Sequence, residues 1–170
     1  MKFPNPRRWA ACVLGALMFA AFPAAAEIAR QAPAACNGQR EIRPLRNVTV
    51  VTAKGSTQFR VEVADTAMRR EFGLMCRRAL AADRGMLFDF KVTQPDTAFW
   101  MRNTLIALDI IYIRPDGRVL SIARRAKPLD EAPLPAGGPT RWVLELAADR
   151  AAQLGLMPGD KVIYRSARGG

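Results

Sequence analysis

Two carboxylates interrupt apolar runs: Asp109 within Leu108-Asp109-Ile110-Ile111-Tyr112 and Glu145 within Val143-Leu144-Glu145-Leu146. A carboxylate among apolar neighbours needs a partner, or its proton is held more tightly. Arg77, Arg102, Asn103 and Thr104 are the partners on offer. Two such acids on one cleft would suit general acid and base work, the arrangement of glycoside-cleaving enzymes. Against that stands the plainer role of a structural ion pair or a cap at a strand end. Strand alternation puts Asp109 on the face of Ala107, Ile111 and Ile113, and Glu145 on the side of Val143.

Other chemistries are closed. The 170 residues contain no histidine, which excludes Ser-His and Cys-His catalysis and histidine-based zinc sites. Gly73, Gly85 and Gly117 are isolated, so no glycine-rich phosphate loop is present. Met75, Met86, Met101 and Met157, with Cys76, raise Cu(I) binding through soft sulfur donors. Gap-filling core methionines are the ordinary alternative. The residues imply neither a cofactor nor a metal site. Trp100-Met101-Arg102-Asn103-Thr104 gathers an aromatic face, an amide, a hydroxyl and a guanidinium where a strand ends, a mixture that suits sugars or small polar ligands. The competing reading buries Trp100 in the core and spends Asn103-Thr104 on a turn.

The N-terminus sets the compartment in which such a site would work. Lys2, Arg7 and Arg8 precede an uncharged run from Trp9 to Phe22, and Pro23-Ala24-Ala25-Ala26 supplies small residues before Glu27. This order is that of a cleavable secretory signal, with cleavage expected after Ala26 and a periplasmic or secreted product. The apolar run is too short to span a bilayer, and no later stretch replaces it. The first 26 residues hold three bases and no acid, so their removal lowers the net charge from +11 to +8. An exported basic protein meets anionic envelope components rather than nucleic acid. Cys36 and Cys76 remain, an even pair that an oxidising compartment can bridge. A free Cys76 among Arg69, Arg70, Arg77 and Arg78, favoured as a thiolate, is the other possibility.

The elements that must position these residues are mostly short strands. The leader, residues 27–46, is rich in Ala, Pro, Gln and Arg and is expected to be flexible; one domain spans 47–166, with a tail at 167–170. Val48 to Val51 and Phe59 to Val63 read as a hairpin. Asp65 or Thr66 can cap a short helix through Met68, Phe72 and Met75. Gly85 to Phe90, Thr97 to Met101, and Ala107 to Ile113 follow as strands. Arg114-Pro115-Asp116-Gly117 turns the chain into a strand from Arg118 to Ala123. Lys127 to Pro139 is a proline-rich loop, Trp142 to Leu146 a strand, Asp149 to Leu154 a short helix stopped by Gly155, and Lys161 to Tyr164 the last strand. The expected fold is mainly β with one or two short helices, a compact antiparallel β-sandwich or small barrel.

Gly73-Leu74-Met75-Cys76-Arg77, Gly85-Met86-Leu87-Phe88, Phe99-Trp100-Met101-Arg102-Asn103-Thr104, Leu108-Asp109-Ile110 and Val143-Leu144-Glu145-Leu146, followed by Gly159-Asp160, occur in that order. Together they resemble the family called domain of unknown function 192, over roughly Thr49 to Tyr164. The resemblance implies a compact β-rich fold, often behind a signal peptide, and no established activity. One departure is Ala147-Ala148-Asp149, where the family usually has a glycine; Asp149 is expected to start the helix as its cap. The residues favour a non-catalytic module binding a small polar or glycan-like ligand or an envelope partner. Arg77, Trp100, Asn103, Thr104, Asp109 and Glu145 are the candidate site; a hydrolase using Asp109 and Glu145, and a Cu(I) carrier, are the alternatives.

Overall fold

The computed structural model describes Cys36 and residues 41–165. The expected secretory signal, most of the expected leader and the tail lie outside the described residues. Within them the chain runs β1 (Arg46–Thr52), β2 (Gly55–Ala64), α1 (Ala67–Phe72), β3 (Arg84–Gln94), β4 (Ala98–Phe99), β5 (Leu108–Ile113), β6 (Val119–Ala126), β7 (Leu134–Pro135), β8 (Thr140–Ala147), α2 (Arg150–Leu154) and β9 (Lys161–Tyr164).

Seven strands form one sheet in the order β6-β5-β8-β3-β2-β1-β9, and β4 pairs separately with β7. The sheet curls until its edges touch: Arg118 bridges Lys161, and Val119 N–H donates to the Asp160 carbonyl at 2.8 Å. This is the small, nearly closed barrel that many short strands imply. One pairing is parallel, β2 with β3. The reason is α1, since a strand–helix–strand crossover returns the chain in the same direction. Thr66, not Asp65, caps that helix, its hydroxyl accepting from Arg69 N–H at 3.2 Å. The helix stops at Phe72, so Met75 falls in the turn beyond it.

The central strands are buried on both faces. All six residues of β5 are buried. One apolar cluster fills the barrel with Phe59, Leu87, Ile111, Leu144 and Leu146. A second, with Met86, Phe88, Ile110, Tyr112 and Val143, coats the opposite face. Burial on both faces is what a near-continuous apolar strand predicts. The β4–β7 ribbon lies over the second face. It is held there by Phe99, packed edge-on against Phe88 at 4.8 Å and Tyr112 at 6.0 Å. The Tyr112 hydroxyl also donates to the Leu134 carbonyl. Gly85 lets β3 approach β8 closely, because a Cβ there would lie 2.5 Å from the Glu145 carbonyl oxygen.

The end of the segment expected to be a flexible leader is tied down. Ile42 N–H donates to Glu62 at 2.7 Å, and Glu41 pairs with Arg84 at 3.2 Å. Upstream, Cys36 and Cys76 are joined in a disulfide with Cα atoms 5.2 Å apart. Closing a loop of 40 residues stabilises a domain by about 3–4 kcal/mol, by restricting the unfolded chain. The double variant Cys36→Ser/Cys76→Ser is therefore expected to lose about 3–4 kcal/mol in urea denaturation. An unchanged midpoint would show that the cross-link stabilises nothing.

Candidate functional site

The second face of the sheet is covered by two separate pieces, and they leave a gap. One piece is α1 with the turn from Gly73 to Arg77; the other is the β4 segment from Thr97 to Trp100. Between them lies a cavity of about 360 Å³. Leu74, Phe88 and Phe99 line its apolar interior, and Phe72, Phe90 and Trp100 its aromatic rim. Phe72 and Trp100 are about half exposed, at 50% and 48%. Gly73 turns the chain at the end of α1 with φ +46°, and a Cβ there would sit 3.0 Å from the Phe88 ring. Glycine thus serves both the turn and the open space beside Phe88.

Glu145 reaches this cavity from β8. It is 4% exposed, and its Oε2 has no hydrogen-bond partner among the described residues. Burial alone pushes its carboxyl up to about 8. Thr97 also lines the cavity, and its buried hydroxyl is likewise unpartnered. Two buried polar atoms without partners, converging on one open space, are unusual, since such groups normally find hydrogen bonds. Tyr112 lies beneath. Burial raises its phenol well above the usual range; a backbone hydrogen bond from Phe99 opposes this, and the Glu145 charge adds to it.

The six candidate residues separate into two groups. Trp100, Thr104 and Glu145 line the cavity. Asn103 stands beside it as a turn residue: its φ is +57°, its carbonyl accepts from Cys76 N–H at 2.8 Å, and its amide approaches the Met75 sulfur at 3.9 Å. Arg77 points elsewhere, pairing with buried Glu62 at 2.7 Å and so fixing the turn below the disulfide. Asp109 faces the barrel interior. Its two oxygens accept from Arg125 N–H at 2.9 Å and Ala151 N–H at 2.8 Å, so it caps α2 from a neighbouring strand and holds the β5–β6 bulge.

Asp109 and Glu145 therefore do not share a cleft. Asp109 pairs with Leu146, and Ile110 with Glu145, which puts the two acids on opposite faces of the same sheet. The cap expected of Asp149 is likewise supplied by Asp109. Asp149 instead adopts the left-handed backbone a glycine would favour, at φ +70°, makes no side-chain cap, and pairs with Arg125 at 2.8 Å. The sulfur atoms are dispersed: Cys76 is in the disulfide, Met86 and Met101 are in the core, and Met157 is exposed.

The model of the family DUF192, described as "Uncharacterized ACR", matches residues 49–164. The chain belongs to this family. A crystal structure of a protein of unknown function from Novosphingobium aromaticivorans superposes with a TM-score of 0.70 at 43% identity, covering 78% of this chain and 97% of that one. A second, from Sinorhizobium meliloti and provisionally described as a transcription regulator, has a TM-score of 0.69 at 38% identity, covering 74% and 97%. No curated protein matches the sequence. The DUF192 match takes in every segment of the cavity, from α1 to β8.

Sequence reasoning missed Phe72, Phe88, Phe90, Thr97 and Phe99. Phe88 and Phe90 did carry a signal, because alternation along β3 puts them on one face, opposite the barrel interior. The isolation of Glu145 has a thermodynamic consequence. An unfolded chain releases this proton near 4.5, whereas the folded one holds it to about 8. Stability from this group is complete below the lower value and is lost as pH rises to the upper one. Glu145→Gln keeps the shape without the proton. Its melting temperature is expected to match wild type near pH 4.5 and to exceed it by roughly 10 °C or more above pH 8. Parallel curves across that range in calorimetry would contradict the assignment.

Proposed function

We propose that the mature protein is an exported, non-catalytic module that binds a small molecule in the Glu145 cavity. The observation that carries this reading is the buried, unpartnered Glu145 oxygen at the wall of a mostly apolar, open cavity. A concave, aromatic-lined site with a few convergent polar groups is the general form of a small-ligand pocket. The ligand matched to it has an apolar or ring-shaped body against Phe88, Phe99 and Trp100 and a polar group directed at Glu145 and Thr97. Export is supported by the signal-like first 26 residues and by a disulfide, which suits an oxidising compartment. Among the described residues no helix is long and apolar enough to cross a membrane.

Among the described residues no second carboxylate reaches the cavity floor, which weighs against acid–base hydrolysis, since Asp109 is committed to capping α2. Glu71 and Asp96 belong to the exposed rim.

Ala98 is exposed, lies on β4 and lines the cavity, so a bulky residue there is expected to obstruct its entrance. Wild type and Ala98→Trp can be compared by thermal shift against small aromatic and aliphatic amines, alcohols, acids and monosaccharides. At least one class is expected to raise the wild-type melting temperature by several degrees, as binding well above Kd requires, and to leave Ala98→Trp unmoved. Equal shifts in both proteins, or none in wild type, would remove the cavity as the binding site.

A further inference from the structure

The charge around the cavity narrows the ligand class. The protein is strongly basic, with 26 Lys and Arg against 15 Asp and Glu. The cavity reverses that balance: its ionisable lining residues are the acids Glu71, Asp96 and Glu145 against the base Arg70 alone, with Glu145 protonated in the free protein. Arg70 is already engaged, donating to the Asp89 carbonyl at 3.0 Å and lying over the Phe90 ring at 5.6 Å. Glu71 and Asp96 form no ion pair among the described residues, so their charges stand at the mouth.

The aromatic lining points the same way. A ring face attracts cations, worth about 0.5–2 kcal/mol depending on exposure. Two rim rings already hold one each: Arg70 sits over Phe90, and Arg102 over Trp100 at 5.7 Å. A third cation entering between the rings would meet the Glu145 oxygen, which has no other partner among the described residues. Resting on the cavity reading above, we propose that the ligand is an organic ammonium compound with an apolar body, its nitrogen donating to Glu145.

The proton balance follows. The amine enters as its cation, and the Glu145 carboxylic acid must ionise to pair with it, so one proton passes to solvent. Binding then strengthens as pH rises toward 8, the value to which burial raises Glu145. The groups facing Glu145 are Arg70 and Glu71 from α1, Asp96 beyond β3 and Tyr112 from β5. Glu62 lies farther along the same row, beyond Met86, and is paired with Arg77. None of them replaces Glu145 as the acceptor inside the cavity. A ligand that instead accepted a hydrogen bond from the neutral acid would bind less tightly as pH rose, so the slope separates the two.

Three probes of one shape test this on the disulfide-bonded protein: 2-phenylethylammonium, 2-phenylethanol and 3-phenylpropionate, by isothermal titration calorimetry in two buffers of different ionisation heat. The ammonium is expected to bind about tenfold or more tighter than the alcohol, a difference of about 1.4 kcal/mol, with the carboxylate weakest. Close to one proton should be released at pH 7, and Glu145→Gln should abolish both the preference and the release. Alcohol or carboxylate binding as tight as the amine, or a preference kept in Glu145→Gln, would overturn the proposal. So would failure of the amine to bind at millimolar concentration. The Ala98→Trp comparison distinguishes these failures. Probes that bind wild type without charge preference, and lose binding in Ala98→Trp, would leave the cavity standing and the ammonium class refuted. Amine binding undiminished in Ala98→Trp would refute the cavity itself.

Discussion

The constraint on which this structure depends is that its central strands are apolar on both faces. β5 has no solvent face at all, and β3 and β8 bury residues on either side. Curling the sheet disposes of one face, which becomes the barrel interior around Phe59, Ile111 and Leu144. The other face must be covered by whatever chain remains. That chain is a six-residue helix, a disulfide-pinned turn and a two-stranded ribbon. The ribbon is held by Phe99 and Tyr112, and the cavity is the space left between it and α1. A site of this kind follows from incomplete coverage of a second apolar layer.

Glu145 gives that space its chemistry. On the barrel side, the equivalent problem at Asp109 is solved by backbone donors from Arg125 and Ala151. Farther along the sheet, Asp89 shows another solution. Burial opposes its ionisation, but hydrogen bonds from Arg141 and Lys91 outweigh this and hold its carboxyl below the usual range. Glu62 is matched by Arg77 and by Ile42 N–H. Glu145 alone among these four buried carboxylates has a fully buried oxygen without a hydrogen-bond partner among the described residues. Unmade hydrogen bonds of this kind cost stability, and their retention beside an opening supports the proposed binding role over a purely structural one.

Much of the architecture was legible in the sequence. The turn residues around Pro115 and Gly117, the alternating runs and the β-branched segments located most strands, and alternation correctly assigned Asp109 and Glu145 to their faces. It did not show that those faces are opposite ones of the same sheet, because that depends on the β5–β8 register, a pairing between distant segments. The parallel β2–β3 pairing was written in the strand–helix–strand order around Thr66, while the hairpin read from Val48–Val51 and Phe59–Val63 is the β1–β2 pair. Asp149 misled for a local reason: an aspartate before a helix reads as a cap, while here its backbone takes the left-handed turn and Asp109 makes the cap from another strand. The cavity was the least legible feature. Its walls come from α1, β3, β4 and β8, and nothing in the spacing of Phe72, Phe88, Phe99 and Glu145 announces that they meet.

The proposed recognition depends on Glu145 being buried and unpaired in the free protein. Carbon-detected NMR of protein labelled at the glutamate carboxyl, with the resonance assigned by its loss in Glu145→Gln, measures that directly. A titration midpoint near 8 is expected. A midpoint at the ordinary carboxylate value of 4.5 would contradict it, because the group would then be solvated or paired and the cavity would lack its recognition element.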